Sequence, residues 1–471
     1  MESPLSWAFL AVSLVGAWFT YNAHRPPRWP ATWATACFFA GWLTVELAAH
    51  HLVWQFMAAC AFAYAGALDA WPGWLALLLC LISWASLMRL HVRGALAAEM
   101  AHGAVQGTLS KYEANGEALA LTLDPEAGMP TLTPVRLRHY ALPFQMKQRR
   151  VRVVRNQPFA EVGGRTLRAD VYHRDDKPAN APVLVFVHGG GWVLGFKEFQ
   201  ALPMLNRMAA EGWVCISVDY RLSPRATFPD HIADVNRGIV WAKAHAHEYG
   251  GDPSFVAISG NSAGGHLAAL AGLTWDDPAF KPGFETADTR VQAAVTFYGV
   301  YDLTNRFDHW PNRGIQGLIE RTLMKARRAD DPERFEAASP IARVRPDAPP
   351  WLVVHGTHDS LVPVAEGRRF SAALRDVSSQ PVCYAEIPDA QHAFEIFRSV
   401  RGHHTLRAVR DFLNTVYQRE RGGGLTGPDS QRTRLDTPLS PGLNTASIVS
   451  ARALASADES ALAAASLRSR S

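Results

Sequence analysis

The sequence predicts an α/β fold with a mostly parallel central sheet, preceded by an all-α membrane region. Three observations carry that prediction. From Val151 to about Arg419, short β-like runs alternate with helical patterns. Residues 1–93 are apolar and nearly free of charge, and residues 94–150, between the two, are rich in Pro, Gly and mixed charge. The strand candidates are VLVFV, VCISV, FVAIS, AAVTF, WLVV and VCYAEI, and strands alternating with helices are the pattern of parallel βα units.

The N-terminal region reads as about four spans: Leu5–Tyr21, Trp33–Leu47, Leu52–Leu68 and Trp74–Leu90. Each is near the short end of the roughly 17–25 apolar residues that a span requires. A cleaved leader would account for the first run only. Trp7, Tyr21, Trp33, Trp54, Trp71 and Trp74 lie at run ends and resemble interfacial belts. The alternative is a soluble helical domain, whose helices would carry a charged face. Glu46, His50 and His51 interrupt the middle and are read as a turn at the surface. Arg25 and Arg28 follow the first run, and Arg89 and Arg93 close the last. Four spans would put these on opposite faces, so the positive-inside rule gives a divided answer. The cluster KQRRVRVVR, Lys147–Arg155, shifts the expectation towards a multi-pass protein with a cytoplasmic catalytic domain. Residues 94–150 are expected to be a connector that could contribute to a lid. Residues 420–471, rich in Gly, Ser, Pro and Ala, are expected to be a disordered tail.

Composition narrows the function. A formal net charge of +4 over 471 residues gives no reason to expect a nucleic-acid partner. The five cysteines show no CxxC or Cys/His metal spacing, so neither metal nor cofactor is expected.

Within the α/β region, Gly260-Asn261-Ser262-Ala263-Gly264 fits G-x-S-x-G, between a strand-like run and an alanine-rich helix. That turn lifts a serine hydroxyl above the end of a strand and onto a helix N-terminus. A serine is a poor nucleophile until a base takes its proton, and the base needs an orienting acid. WLVVHGTHDSLVPV supplies a strand and then Asp359; VCYAEIPDAQHAFEIF supplies the next strand and then His392. Asp389 lies too near His392 in sequence to turn back on it, and His355 and His358 are read as loop or packing residues. An oxyanion also needs convergent N–H groups. VLVFVHGGGWVLG provides them as a strand followed by His188-Gly189-Gly190-Gly191-Trp192, and the N–H of Ala263 would complete the hole. A phosphate loop is the other reading of such glycines, but no Lys-Ser/Thr follows and GxGxxG spacing is absent.

HGGGW, DYRLSP (Asp219–Pro224), GNSAGG, HGTHDSLVP and QHAF, in this order, resemble the hormone-sensitive-lipase-like carboxylesterases of the α/β-hydrolase fold. The resemblance covers roughly Val151 to Arg419. It implies an eight-stranded sheet, a triad of Ser262, Asp359 and His392, and an oxyanion hole from Gly190, Gly191 and Ala263. His188, with Gly189, would support the loop. An N-terminal polytopic region joined to such a domain is similar to some actinobacterial lipase/esterase proteins. Three departures stand out: Asn261 where the family more often has Asp, Ser223 and Arg225 where DYRLAPE is usual, and GTHDSLVP in place of a DPL form.

Between FYGVYD and FEAASPIARV lies an insertion, about residues 303–334, with Phe307, Trp310, Ile315, Leu318, Ile319, Leu323 and Met324. Its second half has helical spacing and is expected to be an amphipathic lid helix over an acyl chain. Trp192 and Trp310 are candidates for the substrate pocket. The function expected is a membrane-anchored serine esterase or lipase acting on a small-molecule ester or lipid. An acyltransferase using the same triad, or a noncatalytic binding module of this fold, is the alternative.

Overall fold

The computed structural model describes residues 3–26, 31–114, 142–310 and 313–421. Residues 115–141 of the expected connector and 422–471 of the expected tail lie outside these residues. All six strand candidates form strands: β3 (Ala181–Val187), β4 (Val214–Val218), β5 (Gly251–Asn261), β6 (Ala293–Phe297), β7 (Trp351–Gly356) and β8 (Val382–Ile387). Two more precede them, β1 (Val151–Val162) and β2 (Arg165–Arg174), paired as an antiparallel hairpin. The eight strands form one sheet in the order β1-β2-β4-β3-β5-β6-β7-β8. β2 is antiparallel to β4, and every pair from β4 across to β8 is parallel. This is the arrangement of the α/β-hydrolase fold.

Every residue of β3, β4, β6 and β7 is buried, because helices cover both faces of a parallel sheet. The parallel strands all end at one edge. Loops following β3, β5, β7 and β8 therefore collect there, and those loops carry every candidate catalytic group.

Five helices precede the sheet: α1 (Pro4–His24), α2 (Ala31–Glu46), α3 (Ala48–Tyr64), α4 (Trp71–Gly94) and α5 (Leu96–Ala114). α1 and α4 run parallel, since Trp7 packs on Trp71 at 5.3 Å and, two turns on, Ser13 Oγ lies 3.3 Å from Cys80 Sγ. α3 runs antiparallel to both: Phe9 stacks on Phe62 at 5.1 Å, and Gly16 faces Gln55. Two helices among the described residues are long and apolar enough to cross a membrane, Pro4–His24 and the continuous stretch Trp71–Ser110. A third crossing arises only if α2 and α3 count as one, and they are bent by 96° at their junction. The four apolar runs therefore correspond to two helices of spanning length, or at most three, because the second run turns across the third. Glu46 does not mark a surface turn. It ends α2 buried, 3.9 Å from Arg401.

The expected connector also begins as something else. α5 presents Ala97, Ala101, Val105 and Leu109 at intervals of one turn, and this stripe packs with β8 and the C-terminal helix α12 (Val400–Glu420) in the core of the α/β domain. Between β3 and α12 the remaining helices are α6 (Leu202–Ala210), α7 (Asp230–His245), α8 (Ala263–Leu273), α9 (Arg313–Leu318), α10 (Pro332–Ala337) and α11 (Val364–Val377).

Candidate active site

Ser262 stands between β5 and α8 with φ 56° and ψ −122°, a strained conformation for a residue with a side chain. The turn is held by the Ser262 N–H, which donates to Phe297 O at 2.9 Å, and by the His266 N–H, which donates to Ser262 O at 3.0 Å. All eleven residues of α8 are buried, so its N-terminus cannot shift without disturbing the core. Small residues are demanded there: a Cβ on Gly264 would stand 2.1 Å from Val187 O.

His392 and Asp359 meet directly. His392 Nδ1 donates to Asp359 Oδ2 at 2.7 Å, and both side chains are buried. The other carboxylate oxygen accepts the N–H groups of Leu361 at 2.9 Å and Val362 at 2.8 Å. His355 Nε2 lies 3.3 Å from Asp359 as well and is hydrogen-bonded to Val362 O. Burial opposes ionisation of Asp359, yet the His392 and His355 rings hold its carboxyl far below the usual carboxylate range. Asp389 is directed elsewhere, onto Arg93 at 2.7 Å.

Consecutive residues at the end of β6 touch Ser262 and His392 in turn. Phe297 accepts from the Ser262 backbone, and the Tyr298 ring packs against the His392 ring with centroids 4.3 Å apart. Gln391 Oε1 accepts from the N–H of His392 at 2.8 Å and of Ser360 at 2.7 Å, tying the histidine loop to the aspartate loop.

The glycine loop lies against the serine. A Cβ added to Gly189 would stand 3.1 Å from Ser262 Cβ and 2.7 Å from Asn261 O. Gly190 and Gly191 have φ of 125° and 59°, which side-chain-bearing residues rarely adopt. Support comes from His188, whose Nδ1 donates to Gly189 O at 2.9 Å and whose ring stacks on Tyr220 at 4.4 Å. Burial pulls the His188 pKa down to about 4, so the ring is a neutral structural donor at ordinary pH. Gln200 grips the same residue from both sides, accepting from Gly189 N at 2.7 Å and donating to Gly189 O at 3.2 Å. No sequence pattern singled out Gln200, Tyr298 or Glu395.

The two tryptophans expected at the substrate pocket are both buried. Trp192 is 2% exposed and its Nε1 donates to His266 Nδ1 at 3.2 Å. Trp310 is buried, with Nε1 donating to Glu366 Oε1 at 3.0 Å. Both belong to the core beneath the site. The insertion forms a shorter helix than expected, α9 running on as a π-helical turn over Ile319–Met324 with Ile319, Leu323 and Met324 buried. Leu318 reaches the glycine loop, since a Cβ on Gly191 would stand 3.4 Å from Leu318 Cδ2. Beyond that loop, Leu194, Phe196 and Phe199 are exposed.

Fold and site together define an α/β-hydrolase domain in which a strained serine, a histidine–aspartate pair and a glycine loop share one sheet edge. The BD-FAE family matches residues 169–374, a stretch that includes Ser262 and Asp359 and stops short of His392. Over 267 residues the chain is 50% identical to the probable carboxylic ester hydrolase LipM of Mycobacterium tuberculosis, covering 56% of this chain and 62% of that protein. It is 48% identical over 262 residues to the esterase LipQ of the same organism, covering 55% of this chain and 62% of that protein. It is 30% identical to the isoprenylcysteine alpha-carbonyl methylesterase ICME of Arabidopsis thaliana, covering 56% of this chain and 60% of that protein. The chain thus spans less than two thirds of the length of each of these relatives. The domain is related to the carboxylesterases of the α/β-hydrolase fold.

Proposed function

We propose that the protein is a serine carboxylic ester hydrolase, held in a membrane by its N-terminal helices and acting on lipophilic esters. The observation that carries this reading is the 2.7 Å bond between His392 and Asp359, at the sheet edge where Ser262 is raised at φ 56°.

In this reading Ser262 Oγ adds to the ester carbonyl carbon while His392 Nε2 takes its proton. Asp359 keeps the other ring nitrogen protonated and stabilises the imidazolium. The carbonyl oxygen becomes an oxyanion received by the N–H groups of Gly190, Gly191 and Ala263. Ala263 opens α8, so the helix dipole favours the developing negative charge. Collapse breaks the carbon–oxygen bond to the leaving alcohol, which departs with the proton from His392. Water, deprotonated by His392, then attacks the acyl carbon and releases the carboxylic acid and free Ser262.

The parallel course of α1 and α4 supports one membrane orientation. It brings Arg25, after α1, and Arg89 and Arg93, near the end of α4, to the same end of the bundle, beside the catalytic domain. By the positive-inside rule this favours a cytoplasmic catalytic domain. Exposed Leu194, Phe196 and Phe199 next to the oxyanion loop favour apolar acyl or alkoxy groups. LipM and LipQ are named as ester hydrolases, which supports ester cleavage in general, and the Arabidopsis relative is named for a methyl ester of isoprenylcysteine.

The test is fluorophosphonate labelling of the full chain in lipid nanodiscs, for wild type and Ser262→Ala, with p-nitrophenyl esters of increasing acyl length. Labelling and turnover lost together in the variant support a serine hydrolase. Folded wild type that neither labels nor turns over any ester would leave a ligand-binding module of the same fold.

A further inference from the structure

We infer that the helical bundle is a positioning element of the catalytic centre, with Trp42 of α2 holding the backbone just after His392 and Arg93 of α4 holding the Asp389 carboxylate just before it. This inference rests on the esterase reading of the site.

The loop between β8 and α12 is bent in an unusual way. Asp389 has φ 56° and Ala393 has φ 63°, so two residues with side chains occupy the left-handed region, one on each side of His392. Alanine has no polar group with which to offset that conformation locally, so the surroundings must impose it.

The bundle supplies the surroundings. Trp42 Nε1 donates to Ala393 O at 3.0 Å, a shorter contact than the 3.4 Å one from Ile396 N within the loop. The Trp42 ring also packs on Phe397 at 4.9 Å. On the other side, Arg93 makes a two-pronged contact with Asp389, Nε to Oδ2 at 2.7 Å and a terminal nitrogen to Oδ1 at 3.3 Å. A bidentate guanidinium–carboxylate contact fixes direction as well as distance.

Arg401 locks the junction from beneath. It is 2% exposed, and it donates to Pro388 O at 2.9 Å, to Val45 O at 3.1 Å and to Leu90 O at 3.1 Å. One buried side chain therefore joins the start of the histidine loop to the ends of α2 and α4. Asp359 itself bonds to His392, His355 and its own loop, and the aspartate loop meets the bundle through the neighbouring His358, which bonds to the Ala23 backbone in α1. The bundle thus sets where His392 stands relative to Ser262, more than whether the pair with Asp359 forms.

The experiment uses the full chain in lipid nanodiscs, with p-nitrophenyl butyrate and active sites counted by fluorophosphonate titration. Trp42→Phe keeps an aromatic ring near Phe397 and removes the N–H together with part of the indole. We expect kcat per titrated site to fall about ten- to a hundredfold with KM within about twofold, because misplacing a base by an ångström costs rate more than binding. Adding Ala393→Gly should restore most of the loss, since glycine adopts the left-handed region unaided. A merely structural role would lower the number of titratable sites and leave kcat per site unchanged. That result, or a loss that Ala393→Gly does not relieve, overturns the inference. Arg93→Lys, which keeps charge and loses the fork, gives the same reading from the other side. The low-field NMR signal of the proton shared by His392 and Asp359 should persist in Trp42→Phe, because the pair itself is left in place. If wild type hydrolyses nothing, the esterase reading fails, while an active Trp42→Phe with kcat per titrated site equal to that of wild type would sink the positioning claim on its own.

Discussion

Asn261 donates from Nδ2 to Glu395 Oε1 at 3.0 Å, so the residue before Ser262 is bonded to a carboxyl three positions beyond His392. The Tyr298 hydroxyl donates to the same oxygen. Glu395 is 1% exposed, and burial pushes its pKa up. Its folded value stands above the unfolded one, so its stabilising contribution is full in acid and is lost as pH rises through the folded pKa.

That relationship explains why Asn, and not the acid commoner in similar sequences, suits this position. An acid at 261 would face Glu395 in a buried site and would have to share a proton with it. Asn261→Asp should lower unfolding stability by about 1–3 kcal/mol, more at alkaline than at acid pH, and Glu395→Gln added to it should recover the loss. Denaturant unfolding of the two single variants and the double variant, across pH, checks this.

Gln200 holds Gly189 by two hydrogen bonds and so indirectly sets the direction of the N–H groups after it. Gln200→Leu keeps the side-chain bulk and removes both bonds. It should lower kcat on a short ester by about tenfold or more, with little change in KM, as expected when oxyanion donors lose their alignment. Steady-state kinetics on one short and one long ester would show it; a change confined to KM would count against it.

Asp219, after β4, has its pKa raised from 3.8 to about 6, chiefly by burial, with Lys197 opposing the shift. A raised folded pKa means that ionising Asp219 weakens the fold as pH climbs through about 6. Asp219→Asn should therefore stabilise the domain by about 1–3 kcal/mol at neutral pH and above, and by little below pH 4. Thermal melts of wild type and variant at several pH values measure the difference, and parallel curves at all pH values would disprove the assignment.

Much of this was legible in the sequence because the signals are local. Branched runs such as Val183–Val187 and Phe255–Ser259 are buried on both faces, and a continuous apolar run records that directly. Gly260–Gly264 encodes its own turn, and Asp359 and His392 each follow a clear strand. The hairpin of β1 and β2 was less visible: β1 is half-exposed, carries Pro158 and breaks register with β2 near Gln157 and Ala160. The stripe on α5 is made largely of alanine within a mixed helix, so its role in the catalytic core depends on the neighbours it meets. The bend between α2 and α3 was announced by Glu46, His50 and His51, but the burial of Glu46 depends on Arg401. The partners of the site residues were the least legible, because Asn261 and Glu395 are separated by 134 positions and no spacing rule joins them.

The contacts of Arg401 set an order of assembly. Its guanidinium meets Val45 O, made 356 residues earlier, and Leu90 O, made 311 residues earlier. During synthesis the helices of the bundle emerge long before the side chain that closes their ends, and contacts so distant along the chain form late. A ribosome-bound chain halted before residue 401 would therefore carry a bundle whose junction is open, with Glu46 still waiting for its counter-charge. Helices that enter first are finished last.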